Sequence, residues 1–179
     1  VWARVMHRLQ HFMKQHDLLS TFPRFNQPLL FEQPDYGSLP SADFIGPTWM
    51  DDLAICLQSQ TGEEVVQKVG IVASRLLELC IEHGMTPNLS KNKTEVLLSF
   101  RGHGSRKQRK EFFGPHAPGS LPVVTEYGMM HLPLTTTYVH LGGLLHHACD
   151  QRDEIKRRLG IAFATLNHHR KLIFRNWAL

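Results

Sequence analysis

The chain has 179 residues, 42% hydrophobic and 20% charged, which suits a single globular domain, since chains of this size bury roughly 70% of their unfolded surface. No apolar run approaches the ~20 residues a membrane span requires, and Cys56, Cys80 and Cys149 lie far apart with no C-x-x-C pair, which argues against a disulfide framework or a cysteine zinc site. A net charge of +4 and a pI near 9.1 favour an anionic partner over an acidic-surface role.

The first residue is Val1 and not Met, which suggests a piece of a longer protein, and no charged-then-apolar secretory leader is present. Solubility in a reducing, intracellular setting, the nucleus included, is therefore expected. Trp2, Val5, Met6, Leu9, Phe12 and Met13 recur at helical spacing, so residues 1 to about 18 read as an amphipathic helix. Residues 20–43 carry Pro23, Pro28, Pro34, Gly37 and Pro40, which predicts an irregular excursion.

In FIGPTWMDDLAICL, residues 44–57, apolar residues flank two aspartates, and the segment reads as a β-hairpin turning at or near Met50-Asp51-Asp52. A helix is predicted over 63–83. Val65, Val69, Val72, Leu76 and Cys80 mark one face, Val66, Ala73 and Leu77 widen it, Glu63 and Glu64 suit its N-terminal dipole, and Gly84 is the stop. A Pro87-Asn88 turn and a basic stretch then lead to a strand at 96–100.

Residues 101–120, rich in glycine, proline and basic groups, read as a mobile loop; the run RGHGSRKQRK holds five positive charges, on Arg101, Arg106, Lys107, Arg109 and Lys110. Phe112 and Phe113 follow directly. Basic and stacking groups along one segment suit nucleic acid, although a solvated basic loop is the competing reading. Further β structure is expected at 121–126, 131–134 and 138–146. The last helix, 152–174, sets Ile155, Leu159, Ala162, Phe163, Leu166 and Ile173 on one face, with Asp150 or Asp153 near its start. Lys156, Arg157 and Arg158 form a second basic cluster, and His168-His169-Arg170-Lys171 a solvated or nucleic-acid-facing helix end. His146, His147 and Cys149 are close in sequence, but the two histidines would point to opposite faces of a strand and no fourth zinc ligand is spaced to join them.

Adjacent carboxylates between apolar strands repel one another more strongly as the local dielectric falls. A divalent cation relieves this. Mg²⁺ prefers hard oxygens and commonly takes one or two protein carboxylates, with phosphate and water completing its octahedron, which is the arrangement two-metal nucleotidyl transfer uses. An Asp-Asp pair alone reads first as a plain polar hairpin tip, so the order of the surrounding segments carries the weight.

That order resembles the reverse transcriptases of non-LTR (LINE-type) retrotransposons. Trp49-Met50-Asp51-Asp52 followed by Leu53-Ala54-Ile55 is similar to their aromatic-x-Asp-Asp turn and the strand after it. Gly84-Met85-Thr86-Pro87-Asn88 through Lys93-Thr94-Glu95-Val96 resembles their Gly-hydrophobic-x-x-Asn…Lys-Thr-Glu segment, and Tyr138-Val139-His140-Leu141-Gly142-Gly143 their Tyr-Leu-Gly strand. Trp49 stands where tyrosine is usual and His140 where the Tyr-Leu-Gly tyrosine is expected, with Tyr138 two residues earlier on the same face.

The resemblance implies an α+β fold: an incomplete polymerase palm over 1–146, with the aspartate hairpin and the strand near 96–100 in one antiparallel sheet on the helix 63–83, the Tyr138 strand at its edge, and a thumb-like helical extension over 147–179. It implies Mg²⁺ or Mn²⁺ on Asp51 and Asp52, and Trp49 and Met50 bordering the nascent duplex. Tyr138 and His140 would lie near the primer end. Lys91 or Lys93 would approach the incoming dNTP; two extra residues between Asn88 and Thr94 leave that choice open, with Lys93 preferred as the proton donor. The implied partners are an RNA template, a DNA primer, dNTP and the remainder of the polymerase. A third metal-binding aspartate has no convincing candidate, since Asp17 ends a helix, Asp35 lies among prolines and glycines, and Asp43 enters the same hairpin as Asp51. A fragment of an RNA-directed DNA polymerase, inactive by itself, is thus the first expectation. The alternatives are a non-catalytic nucleic-acid-binding remnant and an unselected relic.

Overall fold

The computed structural model describes residues 1–23, 41–46, 48–49, 52–102, 104–140, 142–148 and 150–173. In chain order they form α1 (Trp2–Gln15), β1 (Ser20–Pro23), β2 (Ser41–Phe44), β3 (Thr48–Trp49), β4 (Asp52–Leu53), α2 (Gly62–Glu82), β5 (Val96–Leu97), α3 (Ser105–Phe113), β6 (Ser120–Thr125), β7 (Gly128–Thr135), β8 (Thr137–His140), β9 (Gly143–His146) and α4 (Arg152–Ile173). The fold is α+β. None of the described helices is long and apolar enough to cross a membrane.

The long helix α2 organises the packing because its apolar stripe is wide enough to serve two cores. Val72, Leu79 and Cys80 meet Val5, Leu9 and Met13 of α1, with Ile45 and Ile55 of the aspartate hairpin at the margin. On the neighbouring face Val66, Val69, Ala73 and Leu77 pack on Leu121 and Val123 of β6 and Leu132 of β7. Thr61 caps the helix, its hydroxyl accepting the Glu64 N–H at 3.3 Å. Gly84, at φ +73°, ends it: the Gly84 N–H donates to the Ile81 carbonyl and the Met85 N–H to that of Cys80, the paired bonds of a left-handed helix stop.

The first helix ends the same way with a less suitable residue. Leu18 N–H donates to the Met13 carbonyl at 2.8 Å while Asp17 takes φ +53°. Leu18 thereby turns into the core beside Met13. Between the helices, Glu82 accepts from Arg8 at 2.7 Å and from Arg75 at 3.0 Å. Burial alone would raise the Glu82 carboxyl, but the Arg75 and Arg8 guanidinium groups outweigh it and hold it below its ordinary value.

Five expectations need correction. Among the described residues the single antiparallel sheet is replaced by four small ones, with orders β1-β2, β3-β4, β5-β7-β6 and β8-β9. Here β5 runs parallel to β7, pairing Val96 with Leu134, so the strand near 96 joins the sheet on one face of α2 while the aspartate hairpin meets the other. That strand is also shorter than 96–100, although Leu98 and Phe100 remain buried.

The ends of the proline-rich excursion are strands, β1 pairing with β2 from Ser20 opposite Phe44 to Pro23 opposite Ser41. Proline is tolerated there because both strands of a two-stranded sheet are edges; residues 24–40 lie outside the described ones. Within the supposed mobile loop, Ser105–Phe113 forms α3, entered through Gly104 at φ +78°. Its anchor is aromatic: Phe112 packs against the α2–β6 core, and its ring lies 5.6 Å from that of Phe100. Finally, 138–146 is a hairpin and not one strand, with His140 opposite Gly143 and Gly142 at φ +79°.

The last helix is placed as predicted and packs little. Asp150 Oδ1 accepts the Arg152 N–H at 2.9 Å near its start. Glu154 accepts the Leu144 N–H of β9 at 3.1 Å and the Arg157 guanidinium at 2.8 Å. Beyond that junction the apolar face stands in solvent, with Ile155 53%, Leu159 52% and Phe163 61% exposed.

Candidate functional site

The aspartate hairpin is held at its base. Cys56 N–H donates to the Ile45 carbonyl at 2.9 Å, and Thr48 and Trp49 pair with Leu53 and Asp52 in the same register. Gly46, with φ +154°, lies so close to the opposing strand that a Cβ would fall 1.6 Å from the Ala54 carbonyl oxygen, so no other residue fits there. Strand β1 braces the hairpin: Ser20 Oγ donates to the Cys56 carbonyl at 2.9 Å and Gln58 to that of Thr21 at 3.2 Å. Burial raises the Cys56 thiol above its ordinary value.

Pairing of Trp49 with Asp52 leaves two sequence positions between them, Met50 and Asp51, and both lie outside the described residues. Among the described residues no group of three or more His, Cys, Asp or Glu side chains converges to hold a metal. Of the aspartates weighed as a third ligand, Asp17 and Asp43 are exposed, Asp43 pairing with Thr21 on β2, and Asp35 is not described.

A second group forms where the Lys-Thr-Glu segment meets β8. The Thr94 N–H donates to the Asn88 carbonyl at 3.1 Å and the Asn92 N–H to Glu95 Oε1 at 2.8 Å, closing a loop that leaves Lys91 and Lys93 exposed. The Tyr138 hydroxyl donates to the Lys93 carbonyl at 3.2 Å. Tyr138 and His140 stack with ring centroids 6.4 Å apart, as residues two apart on a strand should. Buried beside these contacts, Glu95 Oε2 and His140 Nε2 have no hydrogen-bond partner among the described residues. Lys93, Tyr138 and His140 are thus brought together, whereas the aspartate hairpin packs on a different face of α2.

The basic run lies on and before α3. Arg101, Arg106, Lys107, Arg109 and Lys110 are all exposed, and none forms an ion pair among the described residues. Arg101 donates to the Ala148 carbonyl at 3.1 Å; Arg109 donates to the Ser105 hydroxyl at 3.1 Å and to its carbonyl at 3.4 Å. Between these two arginines lies a cleft of about 360 Å³ that Phe100, Ser105 and Ala148 help to line.

Sequence reasoning had no means of finding this cleft, because Arg101 and Ala148 are 47 positions apart. It also misjudged the histidines behind it. Strand β9 stops at His146, so strand alternation does not extend to His147, and the two rings lie 4.7 Å apart. Phe113 covers His147 with a ring-centroid distance of 4.7 Å. Burial, then the positive charge of His146 and Arg109, lowers the His147 pKa.

Comparison with known protein families, curated proteins and solved structures found no match to this chain.

Proposed function

We propose that this chain is a fragment of an RNA-directed DNA polymerase of the non-LTR retrotransposon kind, carrying the Asp-Asp turn of an incomplete palm over 1–146 and the beginning of a thumb over 147–179. The observation that carries the reading is the tight hairpin register, Trp49 opposite Asp52 with Asp51 between them, within the order of segments described above. The hydrogen bond from Tyr138 to the Lys93 carbonyl links two segments that the resemblance assigns to one active site, while the aspartate hairpin packs on a different face of α2.

In this reading Asp51 and Asp52 hold Mg²⁺ or Mn²⁺. The bound ion would activate the attacking hydroxyl and stabilise the leaving oxygen of nucleotidyl transfer. The chain's other residues position the reactants. Trp49 and Met50 border the nascent duplex, Tyr138 and His140 present flat side chains to the primer end, and Lys93, with Lys91 the alternative, faces the dNTP triphosphate as a proton donor. With no convincing third metal-binding aspartate in the sequence, the chain alone would be inactive and would need the remainder of the polymerase.

Primer extension tests both parts of this. With an RNA template, DNA primer, dNTP and Mg²⁺ the chain alone should incorporate nothing, yet it should bind the primer–template hybrid more tightly when Mn²⁺ and dNTP are present together, a gain that Asp51→Asn and Asp52→Asn remove. Incorporation sensitive to Asp51→Ala would refute the incompleteness argument, and hybrid binding indifferent to metal in every variant would refute the metal role.

A second reading, a non-catalytic nucleic-acid-binding remnant, is favoured by one observation: the α3 cations have no acidic partner among the described residues. It predicts binding of RNA or DNA with a steep salt dependence and no response to Mn²⁺.

A further inference from the structure

We infer that the cleft between Arg101 and Arg109 is a built phosphate-binding site, taking one phosphate group of a nucleic-acid strand. The inference deepens the nucleic-acid reading and rests on it, but requires no polymerase chemistry.

Three observations converge. First, the two guanidinium groups are tethered from different parts of the chain, Arg101 to Ala148 after β9 and Arg109 to Ser105 at the start of α3. A guanidinium has five N–H donors in a rigid fork. These contacts engage one nitrogen of Arg101 and two of Arg109, so donors remain on groups whose orientation is already restricted.

Second, Asp150, the acidic residue nearest Ala148 in the chain, is engaged elsewhere. Asp150, two positions beyond Ala148, binds the Arg152 backbone at 2.9 Å and its guanidinium at 3.6 Å. Neither cleft arginine forms an ion pair among the described residues. Two like charges on one cleft without a counter-charge repel each other, and an anion with several acceptor oxygens removes that repulsion.

Third, the cleft is open at its entrance and firm behind. Gly102 lines it, and a Cβ built there meets no atom within 4 Å beyond its chain neighbours. Behind it, Phe113 packs on His147, whose buried Nδ1 has no hydrogen-bond partner among the described residues. Arg106, Lys107 and Lys110 continue the positive charge along α3, so a strand anchored by one phosphate would meet further cations.

The test uses the full chain, a fluorescently labelled single-stranded oligonucleotide and inorganic phosphate. Arg101→Lys with Arg109→Lys keeps both charges but removes the forked donors; we expect about a tenfold loss of oligonucleotide affinity with little change in salt slope. Lys107→Gln with Lys110→Gln should instead lower that slope by about 1.4. Titration of the unaltered protein with inorganic phosphate, followed by amide NMR, should shift Ser105 and Ala148 and needs no variant to fold.

Phosphate shifts confined to the cleft without oligonucleotide binding would keep the site and defeat the nucleic-acid reading. Oligonucleotide binding insensitive to the double lysine change, with no phosphate shifts at Ser105 or Ala148, would overturn the site and leave that reading standing.

Discussion

The two long helices have similar length and opposite fates. Helix α2, with 21 residues, buries its apolar stripe on both flanks, and Leu79 is fully inaccessible; α4, with 22 residues, leaves Leu159 52% exposed. Both have the spacing of an amphipathic helix, so the stripe alone does not decide burial. What differs is the rest of the chain: α1, the aspartate hairpin and β6 converge on α2, whereas α4 docks principally through Glu154, Arg157 and the β8–β9 hairpin. A contiguous exposed apolar face is a surface suited to covering, and in the proposed reading the remainder of the polymerase covers it.

Substitutions along both helices sharpen the contrast, beginning with the largest effect. Leu79→Ala should cost about 3 to 4 kcal/mol in urea unfolding, while Leu159→Ser in α4 should change stability by less than about 0.5 kcal/mol; equal losses would erase the distinction. Next comes Glu78, buried on α2, which accepts from Ser74 at 3.2 Å, Arg75 at 3.1 Å and the Glu126 N–H of the β6–β7 turn at 3.1 Å. Glu78→Ala leaves that amide without its carboxylate, and a loss of about 2 kcal/mol is expected, with faster amide exchange at Glu126 as the local signature.

A smaller change of opposite sign is expected at the end of α1. Asp17 occupies a left-handed conformation that glycine adopts without strain, so Asp17→Gly should raise the unfolding free energy by about 0.5 to 1 kcal/mol. A thermal midpoint that falls would show that the aspartate side chain contributes more than its backbone costs.

The last prediction concerns pH at the α4 junction. Hydrogen bonding from Arg157, partly opposed by burial and aided by Arg158 and the Leu144 N–H, lowers the Glu154 pKa from 4.5 to about 2. Because the folded value lies below the unfolded one, the contribution is complete above pH 4.5 and disappears as pH falls through about 2. The Leu144 amide resonance should therefore move in that window, and Glu154→Gln should abolish the movement.

Much of the architecture was legible in local patterning. Helices α1, α2 and α4 follow from 3.6-residue spacing, the Gly84 stop from conformational freedom, and the reversal between Trp49 and Asp52 from apolar runs on both sides of a polar pair. Elsewhere, non-local contacts decided the outcome. Ser105–Phe113 is flanked by glycine and proline and carries only two aromatic anchors, so its composition resembled a loop until Phe112 found the α2–β6 core. Parallel pairing of β5 with β7 cannot be inferred from either strand's alternation. The candidate site divides similarly: the Tyr138–His140 face follows from strand alternation, whereas the Arg101–Arg109 cleft depends on Ala148 arriving from a distant hairpin, and Asp51 lies outside the described residues.

The central proposition, that Asp51 and Asp52 hold a divalent cation, is tested most directly by Mn²⁺ titration monitored through paramagnetic broadening of backbone amides. Broadening centred on residues 49–53 at millimolar Mn²⁺, and lost in Asp51→Asn with Asp52→Asn, is the predicted result. Undisturbed signals there, or broadening that centres instead on His146 and His147 and persists in the double variant, would contradict it.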